Sequence, residues 1–424
     1  MNLKSEKIRF LSVVAVTITV SSITVSCATQ SKPQSLKLGS LLPVTGDAGS
    51  VGEKLPEAVS LAVTTINACG GVNEQPVELV QEDTKTDPNT GAAAMAKLIK
   101  VDEVAGVVGA WSSGISNVTV DLAVDNKVMQ ISPGSTSPAL TQRSRSGEFK
   151  GYWARTVSPD TYQAQALAKL ANSRGFDRVS TVAINNEYGK EFEKAFVQSF
   201  QALGGTVVNK NNPVRYDPNP SSLDSIMSNL FADDPDAILG VLYGETGQLL
   251  LRSAHQQGLS QGVTPLLTDG VYSQSFVDKV GTTQTGASII GGALGTAPGA
   301  NGAGLETLNQ KWQENVGGEV AAFVPQTWDA TVLMMLAAEL GGENTGTAIK
   351  ENLRAVSNAP GVEVSDPCEA MRLVRDGEEI NYQGASGAIE LDEYGDTVGV
   401  YDVWEVNPQG RIDVIDQVEP MSDD

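Results

Sequence analysis

Histidine is nearly absent from this chain: His255 is the single one among 424 residues. It sits in the helix-like run LLLRSAHQQG, where a lone histidine is ordinarily a surface or satisfied residue. Metal centres built from histidine and cysteine therefore lack donors. A Ser–His–Asp triad would have to use His255, and no G-x-S-x-G turn is there to present the serine. The glycine-rich stretches hold neither G-x-x-x-x-G-K-[ST] nor a G-x-G-x-x-G placed after the first strand, so nucleotide and dinucleotide sites lose their main support. No catalytic constellation assembles, and neither enzyme chemistry, a metal nor a cofactor is expected.

Basic side chains are scarce as well, 29 Lys and Arg against 51 Asp and Glu, for a net charge of −22. Such a surface repels nucleic acid, whose binding needs clustered cations, and it offers an anionic membrane no attraction. Beyond the N-terminus, no stretch approaches the roughly 18 uninterrupted apolar residues of a spanning helix. The N-terminus itself has the form of an export signal: Lys4, Lys7 and Arg9, then the apolar run 10–20, then a small-residue exit. That exit resembles a bacterial lipobox ending at Cys27, with Thr24 where leucine is usual. Cys27 is thus the expected lipidated first residue and the lipid the only expected membrane attachment. Ordinary cleavage near Ala28 is the alternative. Loss of residues 1–26 removes three basic residues and one acidic residue, taking the net charge to −24.

Two cysteines then remain, Cys69 and Cys368. An exported pair in an oxidising compartment is a candidate disulfide; two buried free thiols are the other possibility. Residues so far apart in sequence can pair only if the chain returns late to its first lobe.

After a polar tether, 27–35, strand and helix signals alternate. The apolar run from Leu36 reads as a buried strand. Val59, Ala62, Val63 and Ile66 follow at helical spacing, and ACGG ends that helix. VELVQED, VAGVVGA and VMQIS read as further strands with helices between them. The rhythm restarts at YWARTV and continues through RVSTVAI, DAILGVLY and TPLLTD. This alternation predicts βαβ units and parallel sheets in two doubly wound lobes. The expected division is 36–152 with about 297–384 for the first lobe, and 153–296 with about 385–424 for the second. The glycine-rich stretch 291–304 reads as a crossover loop, followed by helices over 305–315 and 326–340 and a strand-bearing tail.

In open α/β sheets ligands bind at the carboxyl ends of the strands. In the first lobe that edge carries GAWSSG (109–114) and SPGSTSP (132–138). Ser113 stands near a helix N-terminus, which favours a carboxylate. Gly134 allows close backbone approach, and Ser135 and Thr136 bring N–H and hydroxyl donors. Caps and turns alone would use the same residues. In the second lobe the strand ends carry Tyr188, Glu245 and Asp269. The tyrosine suits an apolar side chain, and the two acids suit an ammonium. Together the two edges suit a zwitterion held between the lobes.

From about Leu36 to about Val406 the chain resembles the Leu/Ile/Val-binding type of periplasmic receptor of amino-acid ABC transporters. The resemblance is carried by GSLLPVTGDAGSVGEKLPEAVSLAVTTINACGGVN, VVGAWSSGISNV, ISPGSTSPALT, YWARTVSPD, NNEYGKEF, LYGETGQLLLRSAHQQG, TDGVYS and INYQGASGAIELDEYGD. It implies the type I periplasmic binding fold: two Rossmann-like lobes joined by a three-crossing hinge. It also implies a monomeric, extracytoplasmic receptor for a neutral or branched-chain amino acid, with permease subunits as partners. In such proteins the serine matching Ser113 and the turn matching Gly134–Thr136 hold the ligand carboxylate. The acid matching Asp269, with Glu245 beside it, holds the ammonium, and the tyrosine matching Tyr188 packs nearby. The loop GDAGSVGE departs from the pattern: Ser50 and Val51 stand where relatives can place a large aromatic, so leucine-specific selection is unsupported. Ser112 occupies one position of an early disulfide found in some relatives, which fits a rewired Cys69–Cys368 bridge. An amide or urea receptor of the same fold is the alternative. A ligand-sensing module for a signalling partner is another, placed behind transport because the sequence carries no kinase or spanning segment.

Overall fold

Leu38, Leu41 and Leu42 are all fully buried, as is Leu36 just before them, because the strand 37–42 lies inside a sheet covered on both faces. The computed structural model describes Met1 and residues 34–218 and 223–420, so the export signal and Cys27 lie outside the described residues. Everything below belongs to the unit Pro33–Asp424.

The first sheet contains β1 (Lys37–Leu42), β2 (Glu78–Asp83), β3 (Gly106–Gly109), β4 (Met129–Ser132) and β5 (Trp153–Arg155), all parallel, in the order β2-β1-β3-β4-β5. Strand β5 was expected to open the second lobe. It is instead the edge of the first sheet, where Gln130, Ile131 and Ser132 pair with Trp153, Ala154 and Arg155. A short apolar strand signals burial but not which sheet it joins.

The second sheet follows from β6 (Arg178–Ile184), β7 (Thr206–Val207), β8 (Val214–Tyr216), β9 (Ala237–Val241), β10 (Thr264–Leu267) and β11 (Leu294–Pro298). After the small pair β12 (Val362–Val364) and β13 (Ile380–Tyr382) come β14 (Tyr401–Val406) and β15 (Ile412–Val418). Its order is β15-β14-β11-β10-β9-β6-β7, with β8 also on β6, and only β14 runs against the others, antiparallel to both β11 and β15. The glycine-rich stretch 291–304 is thus not simply a crossover loop. It contains β11, whose Gly295 leaves room for the Trp404 indole: a Cβ there would lie 2.2 Å from the ring.

The chain passes between the lobes three times: at 156–159 after β5, at 299–302 after β11, and through 385–400 before β14. Between the second and third passages lies the helix Val324–Gly341, buried on nearly all sides, as its all-round apolar composition requires. It packs on the helices Leu55–Ala68, Gly346–Ser357 and Pro367–Arg375. The last two helices were missed in the sequence and fell within the expected tail. Cys368 opens the second of them and is bridged to Cys69 at the end of Leu55–Ala68, with Cα atoms 5.5 Å apart. Asp329 on the central helix accepts the Ala385 and Ser386 N–H groups at 2.8 and 2.7 Å, fixing the start of the third passage. Burial raises its carboxyl to about 6.

Candidate functional site

The carboxyl ends of β3 and β4 meet through a dense set of hydroxyl contacts. Ser112 caps the helix Ser113–Asn126, so Ser113 is its first helical residue rather than its cap. The Ser113 and Gly114 N–H groups belong to the first turn, where no intrahelical acceptor exists. Ser113 Oγ accepts the Ser137 N–H at 3.1 Å and ties the helix end to the 132–138 turn. Ser135 serves that turn internally: its N–H donates to Ser132 Oγ at 2.8 Å, and its hydroxyl lies 2.9 Å from Ala110 O and 2.8 Å from Ser116 Oγ. Gly134 lies directly against Trp111, where a Cβ would come within 2.0 Å of the indole. Thr136 differs from its neighbours. Its hydroxyl is fully buried, makes no well-formed hydrogen bond, and faces the Asp160 carboxylate.

Arg155 braces this turn from behind. Its Nη1 donates to Ser135 O and Ser137 O at 3.0 and 3.2 Å, and its Nε donates to Asp396 of the third passage at 2.7 Å.

The first passage places a residue that the sequence reading overlooked. The Asp160 N–H donates to Thr136 O at 2.8 Å, while both carboxylate oxygens of Asp160 are buried without a partner. Burial and then the nearby Asp269 push its carboxyl well above the usual range; the Thr136 hydroxyl and the Arg155 charge pull the other way. Asp269, at the end of β10, accepts from the Tyr188 hydroxyl at 2.7 Å and Gln163 Nε2 at 3.2 Å. Its carboxyl is raised to about 6, by burial against the lowering effect of those two bonds. Two buried carboxylates thus lie together beside an unpartnered hydroxyl, which is an arrangement for receiving a cation.

An aromatic wall stands next to them. Tyr188 stacks on Tyr243 at 5.5 Å with the rings nearly parallel, and Tyr243 OH is 2.9 Å from Ser112 Oγ of the opposite lobe. Tyr243 stands between β9 and the helix Gly244–Gln256, so the strand-edge rule that selected Glu245 could have found it. Asp160 ends the stretch YWARTVSPD and opens the helix Asp160–Ser173, where an aspartate is most simply read as serving the helix N-terminus.

Glu245 does not join this group. Its side chain is 46% exposed, pairs with Lys279 at 2.7 Å and accepts from Gln248, because the first turn of its helix turns that position outward. What this helix offers the cleft is its N-terminus. Asp47, in the loop after β1, reaches across the lobes to accept the Thr246 N–H at 2.8 Å and the Thr246 hydroxyl at 2.8 Å, while its backbone carbonyl accepts the Glu245 N–H at 3.1 Å. Ser273 Oγ of the second lobe also donates to Ser50 O at 2.7 Å. The lobes are therefore latched shut by their own residues.

Comparison with known proteins agrees with this architecture. The family model described as the receptor family ligand binding region matches residues 54–409. The chemotactic signal transduction system substrate-binding protein BasB of Halobacterium salinarum is 26% identical, covering 84% of each chain. The Leu/Ile/Val-binding protein BraC3 of Rhizobium johnstonii is 27% identical over 74% of this chain and 83% of its own. Among solved structures, the leucine-binding protein LivK of Thermotoga maritima superposes with a TM-score of 0.75 at 25% identity, covering 91% of this chain and 99% of LivK.

Proposed function

Since the chain belongs to the receptor ligand-binding-region family and has the two-lobed type I periplasmic binding fold, we propose that it is a solute receptor for a free amino acid. The ligand carboxylate would lie against the first turn of the helix Ser113–Asn126 and the Gly134–Thr136 turn. The ammonium would lie between Asp160 and Asp269. The observation that carries this reading is the Asp160 carboxylate, buried with both oxygens unpartnered beside Asp269 and the Thr136 hydroxyl. A bare carboxylic acid or a neutral amide would bring no positive charge to the two buried acids, whereas an ammonium supplies one and gives Asp160 the partner it lacks.

Ligand enters between parted lobes, and closure brings Asp269 and Tyr188 onto the face that already holds the carboxylate. Binding energy thereby shifts the population to the closed form. That closed form is the species proposed to dock on an ABC permease and release its cargo there. Export, lipidation at Cys27, an extracytoplasmic location and a monomeric state belong to the same proposal. Mass spectrometry of the mature N-terminus and sedimentation of the soluble domain test those parts.

The experiment for the central reading is calorimetric titration of protein stripped of carried-over ligand against the twenty amino acids, urea, acetamide and benzoate. One-to-one binding of an amino acid supports it. Heat only with the amides or benzoate refutes it. A second reading, ligand delivery to a signalling partner, draws on the similarity to BasB, whose name places it in chemotactic signal transduction. Co-purification with a chemoreceptor rather than permease subunits would favour that role.

A further inference from the structure

One bulky residue stands at the proposed amino-acid site, against the turn assigned to the ligand carboxylate. Trp111 leaves β3 at the strand edge that holds Ser113 and Thr136, and its ring is 2% exposed. It meets Tyr243 of the other lobe with centroids 5.8 Å apart and meets Phe323 edge-on at 5.2 Å. Rings at such separations touch, so no ligand side chain passes between them. The opposite wall does not supply the bulk. Ser50 and Val51 there are small, and Gly244 comes so close that a Cβ on it would lie 2.3 Å from Ser50 Oγ.

The orientation of the indole adds a second point. A Cβ at Gly134 would come within 2.3 Å of Trp111 Nε1, so the indole N–H lies directly over the turn assigned to the carboxylate. That N–H is buried and has no acceptor. Trp153, Trp312 and Trp404 also have unpartnered indole N–H groups, but that of Trp111 is the one held against the turn assigned to the carboxylate. An acceptor oxygen on the ligand gives it a partner.

Resting on the amino-acid reading above, we infer that Trp111 sets the substrate class. The ligand is a small α-amino acid of the glycine, alanine or serine kind, and the indole N–H donates to its carboxylate. Phe323 and Tyr243 hold the indole in place, so its bulk limits the ligand side chain.

Calorimetry of the intact protein, Trp111→Phe and Trp111→Ala against glycine, alanine, serine, leucine and phenylalanine tests this. The wild type should bind the small set at least tenfold more tightly than leucine. Trp111→Ala removes that bulk and should move the leucine-to-alanine affinity ratio at least tenfold towards leucine. Trp111→Phe keeps most of the bulk but loses the donor, so it should weaken the small set about tenfold without changing their order. Should Trp111→Ala fail to fold, Trp111→Leu carries the same test of size. A wild type that prefers leucine, or a truncated variant with the wild-type order, overturns the size assignment while leaving the amino-acid reading intact. An unweakened Trp111→Phe overturns the carboxylate contact. Binding of no amino acid by the wild type removes the amino-acid reading and this inference together.

Discussion

Replacing Asp47 with alanine should weaken ligand binding without destabilising either lobe. Asp47 is the side chain that bridges the first lobe to the helix Gly244–Gln256 of the second, through the Thr246 N–H and hydroxyl at 2.8 Å each. It acts as an N-cap supplied by the other lobe. Loss of a capping side chain costs about 0.5–2 kcal/mol, and a negative charge at a helix N-terminus adds about 0.3–1 kcal/mol. Burial opposes this and raises the Asp47 carboxyl above its usual range. The net is about 1–2 kcal/mol in favour of the closed form, a factor of about 5–30 in its population. Because ligand is retained by the closed form, the apparent dissociation constant should rise by the same factor. Asp47→Asn keeps the acceptor oxygen and should lose no more than about threefold, since asparagine caps about as well as aspartate. Calorimetry gives the affinities, and thermal melting of the ligand-free protein gives the control. Unchanged affinity in Asp47→Ala would refute the latch. A large fall in the ligand-free melting temperature would show instead that Asp47 holds a lobe together.

Three further predictions concern the charges and the bridge. Asp160→Asn should cut amino-acid affinity by two orders of magnitude or more, whereas Glu245→Gln should stay within about twofold, because Glu245 pairs with Lys279 away from the cleft; equal effects would reverse the assignment of the acids. Asp269, with its carboxyl raised to about 6, favours the protonated form in the folded state, so its contribution to ligand-free stability is present below about pH 4 and lost as pH rises through about 6. An ammonium needs the ionised form, so the thermal shift given by ligand should grow from pH 5 to pH 7.5; equal shifts at both, or the same growth in Asp269→Asn, would contradict the placement. Reducing the Cys69–Cys368 bridge, which closes a sequence separation of 299, should cost about 2–5 kcal/mol in denaturant melts and leave affinity unchanged, since both cysteines lie at the far end of a helix that starts at the cleft.

The alternation of strands and helices was legible because each strand is a short apolar run and each helix repeats at its own period. That much gives two parallel sheets. Sheet membership was less legible: β5 and β11 are short, and their place depends on partners more than twenty residues away in sequence, which no local pattern records. The helix Pro367–Arg375 was missed even though Asp366 caps it and proline opens it, because its nine residues follow a segment that already looked like tail. At the site, the strand-edge rule selected Ser113, Thr136, Tyr188 and Asp269, each in the loop or first helical turn beyond a strand end, and the fold brings these four to the junction between the lobes. It also selected Glu245, because position along the chain says where a residue leaves a strand but not which way a helix turns it. Asp160 was passed over for the opposite reason. An aspartate opening a helix is ordinarily satisfied by its own backbone, and its significance comes from having no such bond while being buried beside Asp269. A polar group without a partner is visible only in three dimensions. Here Thr136, Asp160 and Trp111 are among those along the closed junction between the lobes, and a ligand with one ammonium and one carboxylate has a matching group for each of these three.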